Sequence, residues 1–550
     1  MAKQVVKIVL AVLFILLLER CAQIGSLTGG TRDTTPPKLL EAIPANKTIN
    51  FNSDQVILKF DEHVKLADLP NQLIISPKLG FDPDIQAEGK KIIISFNKQT
   101  LLPNTTYRFY FGKAIIDMTE ANPIENFEYV FSTGNTIDSL KIKGIVLNGF
   151  NNKPEKDIII GLYNKVEYVD SLPYKKTPNY ITRTSESGEF AFGNLPHATY
   201  KVYALADKNK NYLYDGDIER IAFNDSELDL SSDTSITLNL FKEEAPKAFI
   251  KKTNSPYYGF SQVILNKKSV LDLKTLNKED AGNIFETNVG KEKDTLSFYY
   301  KNLKDTLVIM VKNLSYKKTD TIKVQLPKVN SGNKAGNKKM VTFSSNAATG
   351  KLAINTPLQL SFLNWMDTSK TNMSKLKLTS KKDSLISEQA LKYKWININT
   401  LEIGNKLKQG LDYSLKVDSN AFFDVNRNKN DSSLINFQTQ SETELGKLSL
   451  KLLFNKKQGY LVQVINDQEQ IIREQFIAFS LSGSNAATID FTNVAPGTYK
   501  IKIVFDVNEN KKWDTGDLNS KIQPEHVFIH PKPIKILADW EIEEEILIKE

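Results

Sequence analysis

The 550-residue chain contains a single cysteine, Cys21, so no disulfide framework can form and no thiolate zinc site can be assembled. Histidine is almost as scarce, and His63, His197, His526 and His530 do not stand in the HExxH spacing of a zinc hydrolase. No GxSxG elbow, GxxxxGK[ST] loop or GxGxxG turn occurs, which leaves hydrolase, P-loop and dinucleotide chemistry without their motifs. The adjacent carboxylates Asp61 and Glu62 do not make an acid/base pair, because neighbours along a strand face opposite sides of the sheet. Tryptophan is limited to Trp365, Trp395, Trp513 and Trp540, which are too scattered for a sugar-stacking platform. The net charge of +8 comes from basic residues interleaved with acidic and amide ones, so a solvated surface is expected and a nucleic-acid groove is not. Sustained helical periodicity is missing beyond the first twenty residues.

What is present begins with MAKQVVKIVLAVLFILLLER. Lys3 and Lys7 precede an apolar run that is too short to span a bilayer, the layout of a cleaved signal peptide over residues 1–20. Cys21 follows directly and opens a Gly/Thr/Pro tether over 21–35. This order resembles a bacterial lipoprotein, with Glu19 and Arg20 departing from the small residues usual before the cysteine. The resemblance implies lipidation of Cys21 and anchoring in the outer membrane. Acyl chains contribute about 0.8 kcal/mol per buried methylene, so a multiply acylated cysteine holds a protein firmly at a membrane.

The remainder falls into short runs such as QVILKF, KKIIISF and TTYRFYF, separated by turn residues. These predict an all-β chain of tandem β-sandwich domains. Residues 36–134 run from PPKLLEAIP through VILKFDEHV and LLPNTTYRFYF to FSTG, and resemble the bacterial Ig-like domain of Bacteroidota outer-membrane lipoproteins. A second copy is expected over 347–440, with Tyr413 answering Tyr107, Asp424 answering Asp117, and Phe437 and Thr439 answering Phe131 and Thr133. Residues 139–242 contain GEFAFGNLPHATYKVYALAD and resemble a transthyretin-like or carboxypeptidase-regulatory-like sandwich. A second copy over 446–550 places Phe491, Asn493, Tyr499 and Asp506 each 299 positions after Phe192, Asn194, Tyr200 and Asp207. The similar offsets of the two pairs read as an internal repeat. A further sandwich is expected over 243–327 and a linker over 328–346, giving a lipid-tethered rod of about five domains.

Two loops stand out, DKNKNYLYDGD from Asp207 and DVNENKKWDTGD from Asp506. Asp207, Asn209, Asn211 and Asp215 in the first, and Asp506, Asn508, Asn510, Asp514 and Asp517 in the second, follow the alternating oxygen spacing of a calcium loop. Neither has glycine at the sixth position, and Asp and Asn also gather wherever strands are joined by Asx turns. A structural calcium and a plain turn both fit that spacing. The expectation for the whole chain is a non-catalytic scaffold with outer-membrane or surface proteins as partners, lipid-anchored and facing the cell surface. The family resemblance extends this to accessory subunits of surface or outer-membrane protein assembly machines. The alternative is a glycan-binding surface lipoprotein.

Overall fold

The computed structural model describes residues 33–548 apart from 97–100, 165–171, 246, 277–281, 287–291, 304–305, 315–316, 328–339 and 479–484. The signal segment, Cys21 and most of the expected linker therefore lie outside the described residues. The described chain is almost entirely β, with one four-residue helix, Leu69–Gln72, and short 3-10 turns. Five hydrophobic clusters divide it in order, within residues 51–131, 142–240, 248–326, 341–437 and 448–548. They are referred to below as units 1 to 5.

Unit 1 packs a four-stranded antiparallel sheet, ordered Leu39–Ile43, Gln55–Phe60, Lys91–Ser95, Asp84–Glu88, against the sheet of Ile74–Ser76, Thr106–Gly112 and Phe127–Ser132. Alternation sets the core: Val56, Leu58 and Phe60 point inward from one strand, and Tyr107, Phe109 and Phe111 from another. Tyr107 turns its hydroxyl back to accept from Leu102 N at 2.8 Å, and Thr133 Oγ1 donates to Leu102 O at 2.7 Å. Unit 4 repeats this corner, with Lys408 N donating to Tyr413 OH at 2.8 Å and Thr439 Oγ1 donating to Lys408 O at 2.6 Å. Each unit also buries one aspartate that organises a loop. Asp117 accepts from the backbone N–H groups of Thr119, Glu120, Ala121 and Asn122. Asp424 accepts from Asn426 N and Asn428 N, and from the side-chain amides of Asn428 and Asn364. Burial pushes the Asp117 carboxyl up, but the four N–H groups outweigh it and hold it below the ordinary carboxylate range.

Units 2 and 5 share another plan. In each, the first strand is the centre of a three-stranded sheet, antiparallel to one neighbour and parallel to the last strand. In unit 2, Leu140–Asn148 lies between Glu189–Leu195 and Thr234–Leu240, and in unit 5, Gly446–Leu453 lies between Ala486–Val494 and Glu541–Leu547. The opposing sheets are centred on Ile159–Asn164 with Thr199–Leu205, and on Gly459–Ile465 with Gly497–Asp506. The acidic edge strand Glu541–Leu547 pairs with lysines of its neighbour, Lys447 with Glu541 and Lys451 with Glu545, both at 2.6 Å. Unit 3 is built around the sixteen-residue strand Phe260–Thr275, which pairs with Ile250–Tyr257, Glu292–Tyr300 and Thr306–Asn313.

The units do not form the extended rod expected from their order in sequence. Unit 3 meets unit 4 through Tyr257 OH donating to Leu363 O, Asn399 Nδ2 donating to Tyr299 OH, and Lys301 over the Trp365 ring. Unit 5 then returns to unit 2. Leu518 of unit 5 shares one apolar cluster with Leu205, Tyr214, Ile221, Phe223 and Phe241 of unit 2. The physical reason is apolar surface: both units carry a hydrophobic outer sheet face, and each covers part of the other's. Two glycines permit the close approach, since a Cβ on Gly516 would stand 2.7 Å from the Phe241 ring and one on Gly149 would stand 3.1 Å from Pro524.

Candidate functional site

Both Asp/Asn loops leave a strand fixed by a tyrosine. Tyr200 OH donates to Pro196 O at 3.1 Å, and Tyr499 OH donates to Ala495 O at 2.8 Å. The first strand ends at Leu205, two residues before Asp207, and the second ends at Asp506 itself; the two aspartates hold the following turns by accepting backbone N–H groups. Asp207 accepts from Lys210 N, Asn211 N and Tyr212 N, and Asp506 accepts from Asn510 N and Lys511 N. Those turns place four non-glycine residues in the left-handed region, Lys210 at φ 62°, Tyr212 at 60°, Glu509 at 57° and Lys511 at 65°. Such residues cost about 1 kcal/mol each, and the charge-assisted bonds to the aspartates offset it.

The amides complete the loops in the same way. Asn209 Nδ2 and Asn211 Nδ2 donate to Asp215 Oδ2 at 2.6 and 3.2 Å, and Asn508 Nδ2 and Asn510 Nδ2 donate to Asp514 Oδ2 at 2.6 and 2.5 Å. A cation at these positions would be met by the amide oxygens and the carboxylate in place of these contacts. Asp517 stands apart from the other four residues of its set, and its Oδ1 accepts from Ser520 N at 2.7 Å. Among the described residues no three His, Cys, Asp or Glu side chains gather as a metal-holding group.

Sequence reasoning missed the residue that closes each loop. Glu219, buried, accepts from Lys208 N and Asp215 N with its two oxygens. Glu525 does the same for Val507 N and Asp514 N at 2.9 and 3.0 Å. Burial raises the Glu525 carboxyl above its ordinary range despite these two bonds, and the charges of Asp506 and Asp514 add to the rise. The only signal in sequence is a glutamate somewhere after the last aspartate, at different distances in the two copies.

The loops sit at junctions between units. The first faces unit 1, where Lys210 Nζ donates to Asn71 Oδ1 and Lys78 Nζ lies 5.3 Å from the Tyr212 ring centre. The second sends residues 515–523 across to unit 2 as an arm. Thr515 Oγ1 donates to Lys242 O at 2.7 Å, and Gln523 Nε2 donates to Phe223 O at 2.9 Å and to Asp225 Oδ1 at 2.6 Å. Glu243 joins both loops: its Oε2 accepts from Tyr214 OH and its Oε1 from Leu518 N, each at 2.6 Å. Burial first, and Glu243 second, push the Tyr214 phenol far above its ordinary range, so the hydroxyl stays protonated as donor. On the other side of the junction Asn152 Nδ2 donates to Val527 O at 2.6 Å, and the Phe150 and Trp513 rings meet edge to face at 5.1 Å. The geometry can hold segments of chain in register.

Trp365 and Trp513 lie at junctions and Trp395 packs on Phe362 and Phe422, while Trp540 is exposed.

Residues 33–133 match the family model of the bacterial Ig-like domain, which covers unit 1. No curated protein matches the chain. Among solved structures, BcpA, the major pilin subunit of Bacillus cereus, is 11% identical, with 74% of this chain and 99% of the pilin covered and a TM-score of 0.16. Domains 1–6 of the surface layer protein SbsC are 11% identical, with coverage of 90% and 67% and a TM-score of 0.14. The native alpha-2-macroglobulin of E. coli is 8% identical, with coverage of 90% and 42% and a TM-score of 0.14. With TM-scores this low, none of the three bears on how the units are arranged.

Proposed function

We propose that this chain is a non-catalytic scaffold, anchored in the outer membrane through acylated Cys21 on its cell-surface side. It holds outer-membrane or surface proteins, as an accessory subunit of a protein assembly machine. The observation that carries this reading is the junction of units 2 and 5, closed by Glu243 and by contacts between residues 273 or more positions apart. Closing so long a loop has an entropic cost that a flexible string of independent binding modules does not incur. A frame that keeps several β-sandwich edges and loops at fixed spacing is what a scaffold uses. The Ig-like unit stands nearest to Cys21 in sequence, so the frame begins close to the membrane. No helix among the described residues is long and apolar enough to cross a membrane, and the anchoring assigned to Cys21 does not require one.

Purification from gently solubilised membranes tests the proposal. A stable outer-membrane partner is expected with the chain, and it is lost on solubilisation of a Cys21→Ser variant that leaves the membrane fraction. Recovery as a lone monomer from wild-type membranes overturns the scaffold reading.

A further inference from the structure

Units 1 and 4 share a sheet plan and differ at one sheet edge. In unit 1 that edge is Ile74–Ser76, which pairs with the strand of Tyr107. Unit 2 covers it: Lys78 N, just beyond the strand, donates to Asn179 O at 2.9 Å, and Tyr180–Arg183 lies alongside. The counterpart in unit 4, Leu376–Lys382, pairs in the same way with the strand of Tyr413. It is followed by an additional strand, Leu385–Gln389, which ends that five-stranded sheet. Unit 5 docks on unit 2 instead, and no described strand pairs with the outer side of Leu385–Gln389.

This edge lacks the usual protection. Leu385–Gln389 contains no lysine, no proline and no register break, and Leu385 and Ile386 are 80% and 69% exposed. An unpaired edge of this kind offers its free N–H and C=O groups to another chain. The neighbouring edge of the opposed sheet, Tyr393–Asn397, is guarded by Lys394 and by a register break between Trp395 and Asn397. Lysines frame the unguarded edge at both ends. Leu385 and Ile386 stand opposite Lys382 and Lys381 across the strand pair, and Lys392 and Lys394 follow Gln389 within five residues. All four lysines are exposed and make no ion pair among the described residues.

We propose that Leu385–Gln389 is a docking edge, to which an extended segment of a partner protein adds as the sixth strand of the sheet. The segment has an apolar centre, which covers Leu385 and Ile386, and acidic residues at both ends, which meet the four lysines. This rests on the scaffold reading and names one place where the scaffold holds its partner.

The probe is a peptide of four valines with two glutamates at each end, added to the full chain and followed by calorimetry and hydrogen exchange. Saturable binding is expected, weakening as salt is raised, with alternate amides of Leu385–Gln389 exchanging about tenfold or more slowly. A peptide with lysines in place of the glutamates should bind about tenfold or more weakly, and N-methylation of the valines should abolish binding, because strand addition uses their N–H groups. Ile386→Glu, at an exposed position, should leave the melting temperature unchanged and weaken the probe about tenfold or more. Leu385→Glu serves as the second variant. No saturable heat, equal binding of the lysine or N-methylated peptide, or undiminished binding in both variants overturns the proposal. So does a dimer of the free chain that Ile386→Glu dissolves, which assigns the edge to a second copy. In purification from membranes, a partner retained in full by Ile386→Glu overturns the docking edge alone, whereas recovery of wild type as a lone monomer overturns the scaffold reading.

Discussion

The loops at Asp207 and Asp506 share a hydrogen-bonded skeleton and differ in one dimension. Asp215 and Glu219 are four positions apart, whereas Asp514 and Glu525 are eleven apart. Up to the last aspartate the two copies keep a constant offset of 299, and at the closing glutamate it becomes 306. The seven extra residues fall within the arm that crosses to unit 2. An unchanged turn can therefore carry an insertion outward, because the glutamate returns to the same two backbone N–H groups wherever the intervening chain has been. The comparison separates what the loop needs for its own fold from what was added to join two units.

Excising Thr515 to Lys521, which restores the four-residue spacing, should have the largest effect. Unit 5 should remain folded by circular dichroism while small-angle scattering shows the molecule expanding, as units 2 and 5 part. An unchanged radius of gyration would show that Phe150, Trp513 and Asn152 hold the junction without the arm. Next come the first aspartates. Asp506 is fully buried and Asp207 only partly, so Asp506→Ala should destabilise its unit by about 3 kcal/mol and Asp207→Ala by about 1 kcal/mol in denaturant titrations. Glu243→Ala removes the acceptor shared by Tyr214 and Leu518, and the Leu518 amide should exchange about tenfold faster or more in hydrogen exchange.

The pH dependence sharpens the contrast between loop types. Asp117 has its carboxyl lowered in the fold, so its contribution is present above the ordinary aspartate range and lost as pH falls through that range toward the lowered value. Glu525 has its carboxyl raised, so its protonated form is the one the fold favours. Its contribution is greatest at acid pH and declines as pH rises through the glutamate range. Asp117→Asn should flatten the acid limb of unit 1, and Glu525→Gln should make unit 5 less sensitive between weakly acid and neutral pH, both read by melting temperature. Calcium should have the smallest effect. With both amides of each loop donating to the last aspartate, millimolar calcium is expected to shift the melting temperature by about 1 °C or less. A larger rise abolished by Asp514→Asn would place an ion in the second loop.

Much of the fold could be read along the sequence because its determinants are local. The tyrosine corners at Tyr107, Tyr413, Tyr200 and Tyr499 each bond within four or five residues, and strand alternation marks which side chains enter the core. Asn194 and Asn493, picked out as equivalent from the repeat, both adopt left-handed backbone, φ 57° and 55°. The junction was not legible for the converse reason. Glu243 and Leu518, or Asn152 and Val527, are hundreds of residues apart, and nothing near either partner announces the other. Glu219 and Glu525 escaped notice because the arm broke their register. Lys502 looks like an ordinary outward residue of an alternating strand, and nothing near it announces the Phe150 ring of unit 2 that lies over it.

The return of unit 5 onto unit 2 also determines how the molecule bears tension. A pull between the amino-terminal end and the carboxyl-terminal end runs through units 1 and 2, crosses the junction at Glu243 and the arm, and enters unit 5 directly. Units 3 and 4 hang in a slack side branch and carry no load until that junction gives way. In a single-molecule pulling experiment the junction acts as a mechanical fuse: its rupture releases the side branch in one step before either of those units is asked to unfold.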